Sequence, residues 1–196
     1  MIVVIGPVGR ASRGGGLAGL AAGVARAAVA AGREVQVACG VPAGDPGDAI
    51  VLGLARAGIG HAAILRGAAS SGAPTLGPED LELALRYVTS FDVLVLAEPG
   101  RPDLVPVAAE AAAFAGAHLL VLVAPGGSTV ASDAAAGITV LEAPGRDPEG
   151  AFAAVVGGYA AELDVGVVAD VAWAAVSARL GLEVVRPAAV SRSGAR

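Results

Sequence analysis

At 196 residues the chain is long enough for one substantial core, since a domain of that size removes roughly 70% of its unfolded surface from water. It is 55% hydrophobic with 29 glycines and only 3% aromatic residues, so small aliphatic side chains must fill the interior. A formal charge of −5 with 13 basic residues leaves no basic stripe and excludes duplex nucleic acid as an expected partner, because phosphate neutralisation needs clustered Lys or Arg.

Mean hydropathy is +0.71, carried largely by alanine. No stretch of about 20 residues runs uninterrupted; the best candidate, Leu104 to Leu122, contains Pro106, Glu110 and His118. The opening Met1 to Ile5 leads into Gly6 and Pro7 rather than a signal-peptide core, so the expectation is a soluble, cytoplasmic protein with no membrane contact. Cys39 stands alone at the end of an apolar run and reads as a buried, inert thiol. His61 and His118 belong to no cluster, which argues against zinc.

In chain order, short aliphatic runs predict strands at Ile2 to Ile5, Glu34 to Ala38, Ala62 to Leu65, Asp92 to Leu96, Leu119 to Val123 and Ile138 to Leu141. All are almost continuously apolar, as strands covered on both faces are. Helices are expected from Leu17 to Ala31, closed by Gly32, and from Gly47 to Ala57, closed by Gly58. Pro78-Glu79-Asp80 opens another to Val88, and Pro102-Asp103 opens the next in the same way. A helix to Glu162 then starts with Asp147 as N-cap and Pro148 at its first position. The last runs from Val168 to Leu180, before a final strand at Glu183 to Val185 and a frayed basic tail at Ala188 to Arg196. Gly67 to Gly77 reads as one loop, and there is no repeat or linker. The alternation implies an α/β fold with a mostly parallel central sheet and helices on both faces, in one domain over 1–187 with a tail over 188–196.

From Gly14 to Gly58 a Gly-Gly pair, an Ala-rich helix, an aliphatic strand, a Gly-Asp turn and a helix ending in Ala57-Gly58-Ile59 follow in order. Near the C-terminus come Gly150-Ala151-Phe152, a helix, the Ala-rich Val171 to Leu180 and Val185-Arg186-Pro187. In both places the chain resembles the ribokinase-like (PfkB) family of carbohydrate kinases, over about 100 residues. The resemblance implies a three-layer sandwich and, for a member that retains transfer, ATP and Mg²⁺ as cofactors.

The departures fall where the family does its chemistry. Its Gly-Ala-Gly-Asp turn offers backbone N–H groups to the transferring phosphate, and its Asp accepts the sugar proton. Here that Asp aligns with Gly150, and the preceding residues are Asp147-Pro148-Glu149, with no N–H at Pro148 and carboxylates where phosphate would sit. Asp147 is a candidate for a displaced base, and its capping role suffices to explain it. The family's substrate-binding Asn is missing after Gly14-Gly15-Gly16-Leu17-Ala18, where Gly19 stands instead. Gly9 to Arg13 are too few for the lid strands, and the Asn-x-x-Glu magnesium motif is absent before Gly150. Losing base, anion hole, metal motif and lid together leaves little phosphoryl transfer to expect.

Three readings stay open. The first is an inactive kinase-like domain that binds a small molecule, a nucleotide or a protein partner. Its contacts would lie at the carboxyl ends of the strands, from Arg10, Gly14, Gly15, Gly16, Asp45, Asp48, Gly126, Gly127 and Ser128. The second is an active divergent kinase, or an enzyme built on Asp45, Asp48, Glu98, Arg101 and Arg146. The third is a homodimer or other assembly subunit that covers apolar surface a lid would shield.

Overall fold

Hydrophobic residues with no polar face need covering on both sides, and that requirement builds the observed architecture. The computed structural model describes residues 1–12, 15–68, 72–88, 90–127 and 137–179. The chain opens with β1 (Ile2–Ile5), passes through a two-rung antiparallel hairpin of β2 (Gly9–Arg10) and β3 (Leu17–Ala18), and enters α1 (Leu20–Ala30). Then follow β4 (Val35–Val41), α2 (Asp45–Arg56), β5 (Gly60–Arg66), α3 (Pro78–Tyr87) and β6 (Val93–Leu96). A 3₁₀ turn (Pro102–Leu104) leads to α4 (Val105–Ala115), β7 (His118–Val123), β8 (Ile138–Glu142), α5 (Ala151–Asp164) and α6 (Ala169–Arg179).

Six strands form one parallel sheet in the order β5-β4-β1-β6-β7-β8. The alternation of side chains along a strand sorts the core into two layers. Ile2, Val4, Val35, Val37, Val93 and Val95 face α1, α2, α5 and α6, while Val3, Ile5, Leu94, Leu96, Leu119 and Val121 face α3 and α4. The result is the expected three-layer α/β/α sandwich.

Alanine and glycine set the spacing inside the first helical layer. A Cβ added at Gly23 would lie 2.7 Å from Ala153 Cβ, and one added at Gly157 would lie 2.5 Å from the Val24 carbonyl oxygen, so α1 and α5 pack almost backbone to backbone. Beyond them the Tyr159 and Trp173 rings meet edge to face at 5.3 Å and join α5 to α6. The far end of α5 is tied to the α1–β4 turn by Arg33 Nε, which donates to the fully buried carboxylate of Asp164 at 2.6 Å.

Several boundaries differ from expectation. Leu17 and Ala18 are extended, because Gly19 (φ 104°) turns the chain only at α1's entrance, and a Cβ there would strike the Pro7 carbonyl at 2.8 Å. The segment before α5 is a turn, and Gly150 (φ 72°) immediately precedes the helix, so it begins at Ala151 and not at Pro148. Pro102 starts a 3₁₀ turn ahead of α4. The Glu183 to Val185 strand and the 188–196 tail lie outside the described residues. Among those that are described, no helix is long and apolar enough to cross a membrane.

Candidate functional site

The turn 147–150 decides what α5 can do. A helix N-terminus presents N–H groups without intrahelical partners and the positive end of the helix dipole. In this chain Asp147 folds back onto that end. The Phe152 N–H donates to its Oδ1 at 3.1 Å and the Ala153 N–H to its Oδ2 at 2.9 Å. The Gly150 N–H is turned inward to the Asp147 carbonyl at 3.2 Å. The left-handed Gly150 lets a carboxylate three residues before the N-cap reach these amides. The capping role expected for Asp147 is present, but it acts from outside the helix.

An anion arriving at this turn meets a carboxylate already bound by two of α5's amides, and Pro148 adds no donor. The arrangement therefore does not fit the γ-phosphate of ATP. Among the described residues no group of three or more His, Cys, Asp or Glu side chains is placed to hold a metal ion.

At the carboxyl edge of the sheet the strand order reverses between β1 and β6, the position where open α/β sheets bind ligands. Here the backbones are in contact. A Cβ on Gly6 would lie 2.7 Å from the Ala97 oxygen, and one on Gly40, at the end of β4, would lie 1.8 Å from the Pro74 oxygen. The segment 72–77 thus crosses the end of β4, and its Leu76 is buried. Arg101 holds that segment: its guanidinium donates to the Leu76 carbonyl at 2.7 Å, to both Asp103 oxygens at 2.9 and 2.7 Å, and to Glu98 at 3.4 Å. The Asp103 pair, with Glu98 adding to it, raises the Arg101 pKa, and the same pairing holds Asp103 below the usual carboxylate range. Glu98 and Arg101 are joined to each other rather than left for a substrate.

The remaining sequence candidates separate along this edge. Arg10 sits in the hairpin and donates from Nε and a terminal nitrogen to the Gly15 carbonyl, each at 3.3 Å, beside Gly16. Asp45 and Asp48 lie in the first turn of α2, where Asp48 pairs with Arg66 at 2.8 Å. Gly126 and Gly127 form the turn after β7, with the Gly127 N–H bonded to the Ala124 carbonyl at 2.8 Å. Gly14 and Ser128 lie outside the described residues. Cys39 is buried in β4, and burial pushes its thiol up to about 12, as its inert reading requires.

A groove of about 1000 Å³ opens along α1 and the loop 143–150, which includes the α5 turn. It runs from Leu17 and Gly19 past Gly23 and Arg26, with Arg146 and Phe152 along the loop and α5. Sequence reading missed Arg26, which sits inside an Ala-rich helix with no motif around it; it weighed Arg146 only as a possible catalytic group. The contact of α1 with a loop more than a hundred residues away leaves no local signal.

Neither a protein-family model nor a curated protein sequence matches the chain. Solved structures do. An E. coli protein assigned as ribokinase II, solved with ATP and Mg²⁺, superposes with a TM-score of 0.63 at 13% identity, over 96% of this chain and 94% of that one. A Halothermothrix orenii fructokinase gives 0.58 at 12% identity, over 94% and 99%. The tetrameric inhibited form of E. coli phosphofructokinase-2 gives 0.56 at 15% identity, over 91% and 90%. With the parallel sheet, its two helical layers and these likenesses together, the chain has a ribokinase-like fold.

Proposed function

We propose that the chain is a kinase-like domain that transfers no phosphoryl group and binds a small molecule. One observation carries the reading: the Asp147 carboxylate bonds the Phe152 and Ala153 amides at the α5 turn, where the family resemblance puts phosphate. The same alignment puts Gly150 where a proton acceptor belongs, so base and anion hole are lost together. Losing the preorganised donors alone costs about 10²–10³ in rate per donor in enzymes that rely on them. Carboxyl-edge contacts would come from Arg10, Gly15, Gly16, Asp45, Asp48, Gly126 and Gly127.

The test pairs calorimetry with a coupled ADP assay on sugars, nucleosides, ATP and ADP, with and without Mg²⁺. Saturable binding of a panel member without ADP formation is the expected result. Turnover that disappears when Asp147 or Asp48 is replaced would overturn the reading. A homodimer is the second reading, favoured by Leu83, Tyr87 and Phe114, which stand exposed on α3 and α4. A strictly monomeric native mass rules it out.

A further inference from the structure

We infer that the groove along α1 binds an amphipathic anion, a ligand with one negatively charged head on an apolar body. Binding sites for small molecules are typically concave and mostly apolar, with a few polar groups that fix orientation. This groove has that make-up: Leu17, Leu20, Val29 and Phe152 supply apolar wall, and the exposed Ala30 keeps that end of α1 low enough for a flat body to approach.

Four charged residues line it: Arg26, Arg146, Asp147 and Glu149. The formal charges of these four cancel, but Asp147 turns its carboxylate onto the α5 amides at the positive end of the helix dipole, so the charged side chains left to meet a ligand are Arg26, Arg146 and Glu149, two cations against one anion. Both arginines are exposed, and neither has an ion pair among the described residues. In a chain of net charge −5, two such cations beside one apolar groove select an anion. Guanidinium is weakly hydrated and binds carboxylate, sulfonate or phosphate through paired N–H groups, so it serves a head of any of these kinds. The groove shares the α5 turn with the proposed function but none of its other carboxyl-edge contacts. Its failure would leave the reading of the α5 turn untouched, since that reading is decided by ADP formation.

The probe is 8-anilinonaphthalene-1-sulfonate, titrated by fluorescence beside its uncharged analogue N-phenyl-1-naphthylamine, with circular dichroism confirming the fold of each variant. Wild type is expected to bind one sulfonate probe per chain, more tightly at low salt. Arg26→Gln and Arg146→Gln should each weaken it about two- to fivefold, as for one exposed charge contact, while leaving the uncharged analogue unchanged. Ala30→Trp, at an exposed position in the groove, should weaken both probes. Equal affinity for the sulfonate in wild type and the double arginine variant would overturn the proposal. So would parallel losses for both probes in the arginine variants, or binding that Ala30→Trp leaves intact.

Discussion

Replacing Asp147 with Ala removes the acceptor of two amide hydrogen bonds at the start of α5 and the negative charge that faces the helix dipole there. N-cap losses run from about 0.5 to 2 kcal/mol. Asp147 makes two charge-assisted bonds, which favours the upper half of that range, but it is half-buried, so water can reach the freed amides and limits the loss. A cost of about 1.5 kcal/mol follows, lowering Tm by roughly 3–6 °C for a chain of this length. Urea unfolding of wild type, Asp147→Ala and Asp147→Asn measures it, and Asn, which keeps one acceptor, should recover part of the loss. The same variants should separate in inorganic phosphate: the Ala variant gains thermal stability because an anion can now reach the amides, and wild type does not. An Ala variant as stable as wild type, and equally indifferent to phosphate, would refute the capping argument.

Three further outcomes follow from the geometry. Arg101 holds Asp103 below its ordinary pKa, so the stabilisation from this pair is present above that ordinary value and lost as pH falls through the folded one; by NMR titration, Arg101→Met should return Asp103 to the usual range, and an unchanged midpoint would refute the pairing. Cys39 should resist a thiol reagent at neutral pH until the chain is unfolded in denaturant, whereas rapid native labelling would contradict its burial. Gly40→Ala drives a Cβ to within 1.8 Å of the Pro74 carbonyl and should cost on the order of 3 kcal/mol in urea unfolding; a loss under about 0.5 kcal/mol would show that segment 72–77 does not press on β4.

Most of the fold was legible because each signal was local. Ile2 to Ile5 and Val93 to Leu96 are short apolar runs that read as strands covered on both faces and are fully buried as such, and Gly32, Gly58 and Pro78 mark helix ends by backbone chemistry alone. Misplaced ends arose where glycine geometry outweighed helical propensity, at Gly19 and Gly150. The closed α5 turn was half legible: Pro148 and the two carboxylates were visible, but not that Asp147 would reach past Gly150 to Phe152 and Ala153. The seat of Arg101 on Leu76, the approach of Gly40 to Pro74 and the groove between Arg26 and Arg146 depend on segments far apart in the chain.

The central claim is that the chain's own carboxylate fills the place at the α5 N-terminus where a phosphate would bind. The most direct test follows the Phe152 and Ala153 amide resonances while phosphate, and then ATP with Mg²⁺, is titrated into the wild-type protein. The account predicts that both stay fixed in wild type and shift saturably in Asp147→Ala. Saturable shifts of these two amides in wild type would contradict it.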